Sequence, residues 1–123
     1  MSGNRILLDT NIVLYLLSGD ETIADILNES IIFISFITEL ELLGYNDLSA
    51  EEFIKIEGLL TDATVIDINS DIKKIVIKLR KFNKIKLPDA IIAATSHFLN
   101  IPLLTSDKEF SKLADMNILL YEK

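Results

Sequence analysis

At 123 residues, half of them apolar and a quarter charged, the chain is long enough to bury a core and too apolar to be disordered. It has no cysteine, which excludes a disulfide framework and a thiolate metal site, and no apolar run approaches the ~20 residues of a membrane helix, which excludes a membrane protein. The net charge of −7 argues against nucleic acid until its distribution is seen: Lys73, Lys74, Lys78, Arg80, Lys81, Lys84 and Lys86 face only Asp71 between residues 70 and 88, so this stretch carries +6 and the remainder −13.

In chain order, Asn4–Asp9 reads as a strand. Its run Ile6-Leu7-Leu8 suits a central parallel strand covered on both faces. Asn11–Leu17 follows as a helix stopped by Ser18-Gly19-Asp20, and Glu21–Asn28 as a second helix. Ile31–Ile34, short and β-branched, is a strand, and Ser35–Tyr45 repeats apolar residues every three or four positions, as a helix does. Ser49-Ala50-Glu51-Glu52 is a capped helix start running to about Leu60, and Thr64–Ile68 is a third strand. Asn69 or Ser70 caps the basic helix, striped by Ile72, Ile75, Val76, Leu79 and Phe82. Pro88 opens a helix to about Leu99, where proline is tolerated in the first turn. Leu103–Thr105 is a strand, Ser106–Ala114 a short helix and Ile118–Tyr121 a last strand. The alternation predicts one α/β domain over residues 1–123: a three-layer α/β/α sandwich with a mainly parallel central sheet of about five strands.

In such a sheet ligands bind beyond the carboxyl ends of the strands, and acids fall at those transitions. Asp9 ends the first strand, Glu39 or Glu41 lies in the helix after the second, Asp89 starts the helix after the basic stretch, and Asp107 follows the fourth strand. Converging carboxylates repel one another unless a cation sits among them. Oxygen-only ligands suit Mg²⁺ or Mn²⁺, which orient a phosphodiester, neutralise its developing charge and activate water. Glu39 and Glu41 lie roughly 160° apart on a helix, so only one of them faces the site, and the helical wheel does not choose between them.

These residues resemble a known family. Leu7-Leu8-Asp9-Thr10-Asn11, the stretch Ile34 to Leu42, Leu87-Pro88-Asp89 with Ala90 to Ala94, and Leu104-Thr105-Ser106-Asp107 with Phe110 are similar, in that order, to the PIN-domain ribonucleases, and above all to the small toxins of the VapC type. The resemblance implies a parallel sheet between helices and Mg²⁺- or Mn²⁺-dependent hydrolysis of RNA. Carried over by position, Asp9, Glu41, Asp89 and Asp107 would be the acidic metal-binding and catalytic cluster. The family places its acid three residues after a threonine, here Thr38, and that selects Glu41. Thr10, Asn11 and Thr105 would orient carboxylates or waters. The resemblance further implies a cognate antitoxin and a homodimer, while the absence of cysteine and of a signal-peptide pattern fits a cytoplasmic setting. Ser18 stands where the family often has a basic residue, and Glu109 where it often has aspartate.

Each residue also has a plainer reading. Asp9, Asp89 and Asp107 all sit where aspartate caps a helix or favours its first turn, and Asn11 and Thr105 suit turns. Lys81, Lys84 and Lys86 precede Asp89 and suit an RNA backbone track, although charge runs usually form solvated faces. His97, the single histidine, lies two turns beyond Asp89 and is not needed as a base. The rivals to a nuclease are a receiver-like Mg²⁺-binding signalling module, poorly matched by the lone aspartate of the first strand, and a PIN fold serving only as a scaffold.

Overall fold

The structure, a computed structural model, describes residues 4–122. Strand β1 (Arg5–Leu8) leads to helices α1 (Thr10–Leu17) and α2 (Glu21–Leu27), then β2 (Ile31–Ser35), α3 (Phe36–Leu43), α4 (Ala50–Asp62) and β3 (Thr64–Ile66). Helices α5 (Ser70–Phe82) and α6 (Leu87–Leu99), strand β4 (Leu103–Thr105), a 3₁₀ turn (Lys108–Lys112) and β5 (Ile118–Leu120) complete the order. The five strands lie in the order β3-β2-β1-β4-β5 and every pairing is parallel.

The predicted sandwich is therefore the observed one, and the period-2 pattern of β1 builds it. Leu7 faces the α5–α6 side, packing with Phe33, Ile72, Ile92, Leu103 and Phe110. Ile6 and Leu8 face the opposite side with Ile12, Val13, Ile23, Ile34 and Leu42. Central strands buried on both faces need apolar residues at every position, which is why β1 reads as a continuous run.

All predicted elements but one are present, with shifted ends. Helix α1 starts at Thr10 because Asp9 is its cap, and α3 spans only Phe36–Leu43 because Ser35 caps it and Gly44 ends it. Strand β3 stops at Ile66, since the following residues lead into the Asn69 cap of α5. The helix expected over Ser106–Ala114 is a single 3₁₀ turn. Phe110 and Leu113, three residues apart and both buried, satisfy a 3.0-residue period as well as an α-helical one.

Gly19 does what its position after α1 suggested. At φ +94° its N–H reaches the Leu16 carbonyl at 3.1 Å and the Asp20 N–H reaches that of Tyr15 at 3.0 Å, a paired C-terminal cap. Gly19→Ala is expected to cost about 1–2 kcal/mol by forcing a side chain into the left-handed region, although space is open around it. Denaturant unfolding, read as a lower midpoint at unchanged slope, checks this.

Candidate active site

Chain connections run outward from β1 to β2 and β3 on one side, and from β4 to β5 on the other, so the sheet changes direction between β1 and β4. Beyond the carboxyl ends of those two strands lies the crevice where open α/β sheets bind ligands. Asp9 stands at its lip. Its backbone N–H donates to the Leu104 carbonyl at 2.9 Å, its Oδ1 accepts from the Thr10 N–H at 2.8 Å, and its Oδ2 accepts from the Thr105 hydroxyl at 2.7 Å. The side chain is both the cap of α1 and a carboxylate tied across to β4. Only 6 % of Asp9 is exposed.

Burial pushes the Asp9 carboxyl above the ordinary aspartate range; the Thr105 and Thr10 hydrogen bonds pull the other way, and the nearby Asp89 and Asp107 add to the rise. Asp89, half-buried in the first turn of α6, is also raised, first by burial, then by Asp107 and Glu41, with Lys86 opposing. Those couplings tie Asp9, Glu41, Asp89 and Asp107 into one electrostatic cluster. Among the described residues, the ion pairs found are Lys55–Glu51, Lys108–Glu122 and Lys112–Glu109, none of which neutralises these four acids.

Two threonines connect the cluster to the scaffold. The Thr105 hydroxyl accepts from the Asp107 N–H at 3.0 Å while donating to Asp9, and Asp107 Oδ1 caps the 3₁₀ turn through the Glu109 N–H at 2.9 Å. The Thr10 hydroxyl donates to Glu41 Oε1 at 2.6 Å and lies 3.0 Å from the hydroxyl of Thr38. Glu39 instead lines a groove between α3 and α4 with Leu43, Phe53, Glu57 and Leu60. The structure thus joins Glu41 to the Asp9 end of α1, a choice the helical wheel left open. Asn11 is exposed on the first turn of α1, outside these hydrogen bonds.

A cleft of about 550 Å³ opens beside the acids, lined by Asp89, Asp107 and Glu109 together with Arg80, Lys84 and Lys86. Lys81 does not line it. Arg80 and Lys112 do, and sequence reasoning left both out. Arg80 Nε donates to the Ile85 carbonyl at 3.3 Å, bracing the turn between α5 and α6, and Lys112 pairs with Glu109 at 2.8 Å. His97 is exposed beside Ile75, Lys78 and Met116, in a different cavity from the acids. Thr38 was also missed as a functional group. Its signal was the i, i+3 spacing to Glu41, which puts both on one helical face.

The donor set has the chemistry of a hard-cation site: oxygen ligands alone, a buried carboxylate held at both oxygens, and neighbouring acids that help to raise the Asp9 and Asp89 carboxyls. Among the described residues no three His, Cys, Asp or Glu side chains close into a ready cage.

The model of the PIN domain matches residues 6–116. Among solved structures, a chain of a toxin–antitoxin complex from Klebsiella pneumoniae is 30 % identical, with a TM-score of 0.77 over 96 % of this chain and 99 % of that one. VapBC-1 from nontypeable Haemophilus influenzae is 28 % identical with a TM-score of 0.79, covering 94 % of this chain and 97 % of that one. VapBC2 from Rickettsia felis, bound to a DNA fragment from their promoter, is 21 % identical with a TM-score of 0.84 over 96 % and 99 %, a likeness of fold. No curated protein matches the sequence. Among the described residues no helix is long and apolar enough to cross a membrane.

Proposed function

The chain belongs to the PIN-domain family, and on that premise we propose that it is a Mg²⁺- or Mn²⁺-dependent endoribonuclease, the toxin of a toxin–antitoxin pair. The observation that carries this reading is the buried Asp9 carboxylate at the turning point of the sheet, coupled to Asp89 and Asp107 and paired with no lysine or arginine among the described residues. A carboxylate is kept in that position at a cost, which a bound cation offsets.

In this reading Asp9, Glu41, Asp89 and Asp107 hold the cation, which when bound supplies Lewis acidity toward an RNA phosphodiester and toward water. Thr105 and Thr10 keep the Asp9 and Glu41 oxygens aimed; Asn11, at the surface, orients solvent or substrate. Lys84 and Lys86 on the cleft wall, with Lys81 on the adjoining turn of α5, draw the RNA backbone toward the acids by charge alone, so that binding weakens with salt. The acids that share the cleft repel a bare phosphate, so the backbone enters together with a cation. The kinship to a toxin–antitoxin complex at 30 % identity supports an antitoxin partner for this chain. Residues 1–123 then form one catalytic domain, acting as a homodimer in the cytoplasm, where its RNA substrate lies.

Millimolar Mg²⁺ or Mn²⁺ is expected to raise the melting temperature, by an amount equivalent to about 2.7 kcal/mol at a hundred times the dissociation constant. RNA cleavage by the purified protein should stop in EDTA and return with excess Mg²⁺ or Mn²⁺. Cleavage that persists in EDTA, or metal that leaves the melting curve in place, counts against the proposal, and an absence of cleavage with metal present counts for a scaffold or signalling module.

A further inference from the structure

We infer that Thr38 is a positioning residue for metal binding: its buried hydroxyl donates to Thr10 and so fixes the Thr10 proton on Glu41. The inference rests on the metal-site reading above and adds a residue to it.

The direction of the two hydrogen bonds follows from counting protons. The Thr10 hydroxyl donates to Glu41 Oε1 at 2.6 Å, so its proton lies in that contact. Thr10 has no second hydroxyl proton. The proton in the 3.0 Å contact between Thr10 and Thr38 therefore belongs to Thr38. A hydroxyl that receives one hydrogen bond while giving another is polarised, which strengthens the bond it gives. Here that bond is charge-assisted and short, and ends on a proposed metal ligand.

The surroundings make the arrangement rigid. Thr38 is fully buried and Thr10 nearly so. Thr38 sits three residues before Glu41 on α3, and Thr10 is the first residue of α1 directly after Asp9. One chain of hydroxyls thus couples the carboxylate of α3 to the helix that Asp9 caps. Glu41 is otherwise exposed, on a long and freely rotating side chain. Without Thr38's proton, the Thr10 hydroxyl keeps its own proton but loses the partner that orients it.

The test is Mn²⁺ binding followed by thermal shift and calorimetry on the full chain, for wild type, Thr38→Val and Thr38→Ser. Valine keeps the shape and removes the donor; serine keeps the donor. Thr38→Val is expected to weaken Mn²⁺ binding about tenfold or more, in line with the loss of other groups that orient metal ligands, whereas Thr38→Ser stays within about threefold of wild type by the same measure. In steady-state cleavage at saturating Mn²⁺, kcat should recover in Thr38→Val while KM for RNA is unchanged. Wild-type Mn²⁺ affinity in Thr38→Val, or an equal loss in Thr38→Ser, overturns the inference and leaves the metal site standing. Absence of Mn²⁺ binding in the wild type overturns both. Should Thr38→Val fail to fold, Thr38→Cys, similar in size with a weaker donor, is held to the same criterion.

Discussion

Asp9→Asn is expected to lower RNA cleavage by about a thousandfold or more, because on the proposed mechanism a cation that supplies several kcal/mol to the transition state would lose one of its carboxylate ligands. The fold should survive. An asparagine oxygen still accepts from the Thr10 N–H that caps α1, and the backbone bond to Leu104 is untouched. The pH dependence gives a second signature. The folded protein holds the Asp9 proton more tightly than the unfolded chain does, because burial raises this carboxyl. For this group, metal-free stability is therefore fullest at acid pH and falls as pH rises from the ordinary aspartate value, ~3.9, through the raised one. Asp9→Asn removes that fall, so at pH 7 the metal-free variant should melt at or above the wild type while showing no Mn²⁺-induced shift. Circular dichroism melts with and without Mn²⁺, beside a cleavage assay free of contaminating nuclease, check both halves. Cleavage at wild-type rate by folded Asp9→Asn would remove the mechanism.

Phe110→Ala should act through the fold and reach the site only as a consequence. Phe110 is 1 % exposed and packs in the cluster that contains Leu7, Ile92, Leu103 and Leu113. Truncating a buried phenylalanine costs about 3–5 kcal/mol, a large share of the ~5–15 kcal/mol that holds a domain together. The melting temperature should drop by roughly 10–20 °C for a chain of this size. The 3₁₀ turn anchored by this ring is the one that Asp107 caps. Mn²⁺ affinity should therefore fall as well, even at a temperature where the variant is fully folded. A small change in stability would show that the turn is not held by its aromatic anchor.

The legible part of this fold is what short-range pattern encodes. β1 announces itself because a doubly covered strand has no polar position to interrupt Ile6-Leu7-Leu8, and Ser49 with Glu52 forms the capping box that the spelling suggests. What the sequence left open needed partners far away in the chain. Glu39 and Glu41 are equivalent to a helical wheel; they differ because Thr10, 31 residues before Glu41, offers its hydroxyl to one of them. The 3₁₀ turn was misread because buried residues three apart serve two periods. For Asp9 the cap was legible from the adjoining helix, whereas the Thr105 hydroxyl that holds its other oxygen comes from 96 positions away. Arg80 was overlooked as one cation among seven; only the packing of α5 against α6 brings it to the cleft wall.

Asp9 and Thr105 are separated by 96 positions, and β1 pairs with β4 as well as with β2. On the ribosome this spacing becomes an interval of time. At ~5–20 residues per second, roughly 5–20 s pass between the synthesis of the first carboxylate and that of the strand that holds it. Through that interval the half-made chain has its first acid but no wall to the crevice. A product cut short before β4 therefore lacks both the Thr105 contact to Asp9 and the far side of the crevice.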